Sequence, residues 1–420
     1  MSAPTPSALP ARPGGGAPFS PWAHVVQAGA ALAAGMGVGR FVYTPILPLM
    51  HAQAGLSSSA GANLATANYV GYLAGALAGI LIPALVRSRL ALRGSLVLLT
   101  GSLAAMPLTH STAAWAALRL VAGAASALIF VIAASSLLGR LRGHPAHLPG
   151  WAFGGVGAGI ALSGALVLVL RSVADWRAAW WASAGLAAVL AAVAWKLRPD
   201  AATAPAGPVA AARPLAVARP ASEGAGNPGP RTHRWFGVLL AGYTLEGVGY
   251  IVAGTFLVAA IEQSSPGWAG SGAWVLVGLA AVPSSALWAW LGRHRSRPDL
   301  LCAALVIQAV GIALPALIGG VTAALISAFL FGATFLGVST IALATGAHLR
   351  FPRSVALLTA GYSVGQILGP LVVTPLLHHG YHQALLLAAA VVLAAAVAAA
   401  LLRIGFPHRM GVVAHAAAGP

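Results

Sequence analysis

The chain has 420 residues, 59% of them hydrophobic and only 7% charged, and a formal net charge of +17. A soluble chain carries roughly a quarter of its residues as charges, so six acids and 23 bases cannot clothe a water-facing surface of this size, and the main solvent is expected to be lipid. The bases lie in small groups between apolar runs, not on one face or in one tail, which argues against nucleic-acid binding, and the single cysteine, Cys302, excludes an internal disulfide and a multi-thiolate metal site.

Residues 1–21 are rich in Pro, Gly and Ala, lack a signal-peptide pattern and read as a disordered cytoplasmic tail. A spanning helix needs about 20 predominantly apolar residues. Twelve stretches qualify, at 22–49, 60–86, 91–109, 113–138, 149–170, 177–197, 235–261, 268–292, 299–318, 321–347, 353–377 and 381–403. The chain therefore divides into a six-helix bundle at 22–198, a flexible cytoplasmic linker at 199–233, a second six-helix bundle at 234–404 and a cytoplasmic tail at 405–420. The linker, with "ASEGAGNPGP" in it, has too little apolar material to build a core.

Charge supplies an independent check on the count. Arg87, Arg89 and Arg93, Arg140 and Arg142, the linker bases, Arg293, Arg295 and Arg297, Arg350 and Arg353, and Arg403 and Arg409 all fall on the side of the N-terminus. The opposite loops hold only Arg171 and Arg177. By the positive-inside rule both termini and the linker are expected in the cytoplasm, as for a multi-pass protein of a bacterial inner membrane.

Within the spans, glycines recur at helical spacing in "GYLAGALAG", "FGGVGAGIALSG" and "GYSVGQILGP". Such faces let helix backbones approach closely, and they suit sliding surfaces as well. The first span contains "GMGVGRFVYTPILPLM", residues 35–50. Its glycines lack the G-x-G-x-x-G spacing of a dinucleotide loop. Pro45 and Pro48 remove backbone donors near its external end, where a bend or break is expected.

Few charges are placed well inside the spans: Arg40 lies in the first, Arg119 in the outer half of the fourth and Glu246 in the seventh. An intramembrane charge is costly and normally faces a bundle interior or aqueous cavity with a partner. One reading is a buried Arg40–Glu246 pair that sets helix register; the other is a substrate or coupling role. Burial and a nearby arginine act on a carboxyl proton in opposite senses, so a cavity that opens and closes would let Glu246 load and release a proton. Arg40 keeps its proton and suits an anionic substrate group or the ionised Glu246. Tyr43, Asn68, Tyr69 and Tyr72 in the first two spans, Tyr243 and Tyr250 beside Glu246, and Tyr362 and Gln366 in the eleventh would complete a polar and aromatic lining. Tyr243, Glu246 and Tyr250 are spaced to share a helix face. "HHGYH" reads as ordinary loop histidines, and no nucleophile, histidine and acid set is evident, so neither an enzyme nor a bound cofactor is expected.

Two six-helix halves joined by a basic linker resemble the major facilitator superfamily. "GVGRFVYTPILPLM", "ATANYVGYLAGALAG", "GYTLEGVGYIVAGTFL" and "GYSVGQILGP" are similar to its bacterial YbfB/YjiJ-type branch. The resemblance implies an all-α membrane protein of twelve transmembrane helices in two pseudo-symmetric bundles that rock about a central cavity, with the first and seventh helices in corresponding positions. It matches Arg119 in "LRLVAG" to a fourth-helix arginine associated with proton coupling. The gating loop after the second helix, "GILIPALVRSRLALRG", keeps its bases but lacks the family's acid, and "LGRHRSRPD" after the eighth is also degenerate. The fifth helix lacks the Gly-Pro signature of drug antiporters. The expected function is secondary active transport of a small, polar or anionic organic solute by a monomer in contact with membrane lipids, with the proton gradient as energy source. The alternatives are export of amphipathic drugs or metabolites, lipid translocation, or a non-transporting receptor or scaffold of the same fold.

Overall fold

The computed structural model describes residues 20–141, 144, 147–199 and 230–406, and every regular element among them is a helix. The expected tails and linker fall almost wholly outside the described residues. The first span comprises α1 (Pro21–Leu32), a π-helical turn (Ala33–Val38), a tighter turn at 39–42 that interrupts the regular helix, and α2 (Tyr43–Ala54). Then come α3 (Ser58–Leu81), the short α4 (Pro83–Val86), α5 (Arg89–Ala105), α6 (Thr112–Arg140), α7 (His147–Leu170) and α8 (Trp176–Ala194). The second half holds α9 (Pro230–Ser264), α10 (Ala269–Leu291), α11 (Arg297–Leu317), α12 (Val321–His348), α13 (Ser354–Val373) and α14 (Tyr381–Leu401). With α1 and α2 taken as one span and α4 set aside, twelve helices are long and apolar enough to cross a membrane.

Local chemistry sets the helix ends. Ser57, Ser88, Ser111, Asp175 and Ser296 each accept a hydrogen bond from the backbone N–H three residues on, at 2.8 to 3.4 Å, and so open α3, α5, α6, α8 and α11. The second span, expected to run to residue 86, breaks at Ile82, because the residue before a proline avoids helical geometry. Pro107 and Pro375 likewise turn the ends of the third and eleventh spans into 3-10 turns, Met106–Leu108 and Thr374–His379. Large apolar side chains such as Leu81, Leu90, Val169 and Val397 are at least 60% exposed. A soluble fold would bury them, whereas lipid solvates them.

Where helices meet most closely, glycine is a steric requirement. A Cβ on Gly71 or Gly75 of α3 would lie 2.0 or 2.3 Å from the Leu120 or Ala124 carbonyl oxygen of α6. The halves join mainly through α7 on α10, α3 on α13 and α2 on α9. In the first of these pairs Gly157 and Gly278 stand in backbone contact.

The break in the first span has a specific anchor. The π-helical turn ends with the Gly39 N–H bonded five residues back to Ala34, and Pro45 has no N–H with which to continue the ladder. The interruption therefore falls at residues 39–42, one turn before the prolines. Arg119 of α6 reaches across and donates from Nη1 to the Gly39 carbonyl at 3.1 Å and from Nη2 to the Arg40 carbonyl at 3.0 Å. Its guanidinium also stacks over the Tyr43 ring, 5.0 Å from the centroid.

Helix alternation defines a linker face, which holds the α3/α5, α6/α7, α10/α11 and α12/α13 connections, and an opposite face. On the opposite side the halves are bonded together. Arg171 pairs with Glu262 at 2.8 Å. The Tyr381 hydroxyl lies 2.6 Å from His51 Nε2 and donates to Ser58 at 3.2 Å. Deeper in, Thr44 donates to the Gly254 carbonyl at 2.5 Å, and Tyr69 and Thr255 hydroxyls lie 2.7 Å apart.

Two measurements test this arrangement. Cysteines placed at Arg171 and Glu262 in a Cys302→Ala background should join through a short bifunctional thiol reagent, holding the halves together after a proteolytic cut in the linker; separation of the halves would contradict the closed face. Arg119→Leu leaves two buried carbonyls without donors and should destabilise the detergent-solubilised protein by roughly 2–5 kcal/mol, against about 1 kcal/mol for Tyr43→Phe. Equal losses in denaturant unfolding would remove the anchor role.

Candidate functional site: the central cavity

A cavity of about 410 Å³ lies between the halves, within the size range of small-molecule sites. Its mouth, marked by Leu138, Pro149, Trp290 and Arg293, is at the linker face. Its floor is Arg40, carried on the break of the first span, with Gln366 of α13. The break aims Arg40 inward, where it is only 4% exposed.

Two sets of contacts hold the guanidinium. Arg40 Nη2 donates to Gln366 Oε1 in the other half. The charge also rests over three rings, with Cζ 4.3 Å from the centroid of Tyr72, 5.1 Å from Tyr69 and 5.3 Å from Phe41. Such cation–π contacts hold a cation while leaving its N–H groups free. Its Nε is buried without a hydrogen-bond partner among the described residues.

The second half presents a column of rings to this cation. Tyr243 stacks on Tyr362 with centroids 4.5 Å apart, Tyr362 on Tyr250 at 5.8 Å, and Tyr250 on Phe335 at 5.0 Å. Met36, Phe130 and Phe153 form the facing wall. Serine and threonine hydroxyls are scattered around it; among the described residues no acid lines the cavity, and its charges are Arg40 at the floor and Arg293 at the mouth.

Of the residues singled out in the sequence, the cavity gathers Arg40, Tyr72, Tyr243, Tyr250, Tyr362 and Gln366. Tyr43, Asn68, Tyr69 and Arg119 stand behind the floor. Tyr43 donates to the Gly61 carbonyl at 2.9 Å, Asn68 donates to the Arg119 carbonyl at 2.9 Å, and Tyr69 joins the halves. Glu246 is fully buried and lies outside the cavity, behind Tyr243, in a separate space within the second half. No ion pair links it to Arg40 among the described residues.

Phe335, Met36, Phe130, Phe153 and Trp290 also line the cavity, and sequence reasoning did not select them. They are apolar residues in apolar helices, so no change of polarity separates cavity-facing from lipid-facing positions. Among the described residues no group of three or more His, Cys, Asp or Glu is placed to hold a metal. His382 of "HHGYH" bonds the Ala260 carbonyl instead.

Residues 32–401 match the family model described as "Uncharacterised MFS-type transporter YbfB". A comparison with curated proteins finds no match. The match covers all twelve spans except the start of the first, and the two halves about a central cavity have the architecture that the family implies. The chain belongs to this family of the major facilitator superfamily and is a multi-pass membrane protein of the transporter type.

Proposed function

We propose that this chain is a secondary active transporter that moves a small, anionic, amphipathic organic solute across a bacterial inner membrane by alternating access, coupled to protons. The observation that carries the reading is a cavity with no acid in its wall among the described residues, one arginine at its floor and an aromatic column beside that arginine. A guanidinium suits a carboxylate or similar oxyanion, which it can bind through paired N–H groups. The rings and the Met36, Phe130 and Phe153 wall suit an apolar body attached to that anion.

Gln366 gives this site a link to movement. It belongs to the second half and accepts from Arg40 of the first. A bound oxyanion competes with Gln366 for the same donor and so changes a contact between the halves at the point about which they would rock. The excess of bases at the linker face supports a cytoplasmic placement for that face, which makes the described state inward-open. Glu246, buried in the second half, is the proton-carrying residue in this reading. The apolar walls also favour a second reading, export of amphipathic metabolites or drugs, and the missing acid would restrict such cargo to anions and neutral molecules.

Thermal stabilisation of the purified protein by a panel of organic acids, each paired with its neutral amide, tests the substrate class. Acids with an apolar body should stabilise the wild type more than their amides do. Arg40→Gln should weaken acid binding roughly ten- to a hundredfold, the cost of one charge-assisted contact. Amides that bind as well as acids, or a folded Arg40→Gln protein with unchanged affinity, would remove the anion assignment.

A further inference from the structure

Behind the tyrosine column, α9, α11, α12 and α14 enclose a second space of about 10 Å³, room for about one water-sized occupant. Glu246 of α9 lines it and is fully buried. Gln308 of α11 is also fully buried, close enough to interact with the carboxyl though outside hydrogen-bond geometry. Both oxygens of Glu246 and both polar atoms of the Gln308 side chain lack a hydrogen-bond partner among the described residues.

Four such atoms in a low-dielectric interior are costly, and an uncompensated carboxylate is the costliest of them. Among the described residues nothing cationic on the neighbouring helices pairs with it. The titratable groups that face Glu246 are the phenols of Tyr243, Tyr250 and Tyr362. From α11, α12 and α14 the remaining wall is apolar, as at Leu305, Val338 and Ala395. Two oxygen-bearing side chains without a counter-charge form a site for a small, hard cation.

The same space is lined by the small residues Gly242, Ala395 and Ala399 and, toward the linker face, by Leu301 and Leu402. Arg40 is not part of this lining, and Tyr243 is common to this space and the central cavity.

We propose that Glu246 and Gln308 form a binding site for a monovalent cation, a proton or sodium, that is separate from the anion cavity. The use of this site in transport rests on the transporter reading above; cation binding itself does not. The geometry also sets the sign of the coupling. With its cation bound, Glu246 is neutralised; without it, a bare carboxylate lies one tyrosine ring behind the wall and repels an anion at Arg40. Cation and anion then favour each other's binding, as in symport.

The test uses the purified full-length protein and needs no transported solute. Thermal unfolding is followed across pH, and in sodium chloride against choline chloride at equal ionic strength, for wild type, Glu246→Gln and Gln308→Leu. If the cation is a proton, the folded chain keeps a proton that the unfolded chain releases at neutral pH. The wild-type unfolding constant then rises about tenfold per pH unit relative to Glu246→Gln. If it is sodium, the unfolding constant falls about tenfold for each tenfold rise in sodium above its dissociation constant, and Glu246→Gln abolishes this. Retention of the full response in Glu246→Gln, or no response of the wild type to either ion, overturns the proposal. Should Glu246→Gln fail to fold, Gln308→Leu decides. It should weaken sodium about tenfold, or move the pH response by about one pH unit, and no change in either overturns the site. Since no organic anion is present, this outcome is independent of the test of the anion cavity.

Discussion

A membrane helix that is interrupted frees carbonyl groups that lipid cannot solvate, so something in the protein must satisfy them. In the first span two side chains of α6 do so, Ser126 at the Gly35 carbonyl and Arg119 at the turn that follows. Arg119 spans the break in the first span and donates to the carbonyls of Gly39 and Arg40, while Asn68 of the next helix donates to the Arg119 backbone carbonyl. The rest of the site depends on that anchor. With it, residues 39–42 hold the turn between the π-helical segment and α2, and Arg40 sits in that turn with its side chain directed into the cavity. The two intramembrane arginines therefore have different tasks, one binding backbone and one facing the cavity.

The same economy applies between the halves. Their polar contacts run from Arg40 and Gln366 at the cavity floor, through Tyr69 and Thr255 and then Thr44 and Gly254, to the Arg171–Glu262 pair at the opposite face. Along one flank α7 lies on α10 with glycines in backbone contact, a surface that gains from close approach without side chains interlocking. A reversible closure needs contacts that are individually modest and breakable, and hydrogen bonds between hydroxyls and carbonyls meet that requirement.

Placing the proposed anion site and the proposed cation site on either side of a tyrosine layer has an electrostatic consequence. In a medium of low dielectric, charges several ångströms apart interact far more strongly than in water. The two sites need not touch to be coupled. Tyr243, which borders both, and Tyr362 stacked on it form the partition. In the proposed cycle the partition separates two ligands of opposite sign while their charges still influence each other.

The sequence by itself determined that the chain is a multi-pass membrane protein and how many spans it has. Both follow from one-dimensional quantities: long apolar stretches and the alternation of arginine-rich and arginine-poor loops. It also singled out Arg40, because a charge within an apolar run is visible without knowing what surrounds it. Tertiary structure alone decided the partners. Arg40 is on the first span and Glu246 on the seventh, and Arg40 meets Gln366 and Tyr72 while Glu246 faces Gln308 behind the tyrosine layer. The reason is rotational: a helix position is placed in depth by its sequence number, but the direction in which it points depends on which neighbours pack against it. Where nearly every residue is apolar, as around Phe335 and Phe130, no polar face marks that direction, and only the packing distinguishes a cavity wall from a lipid-facing surface.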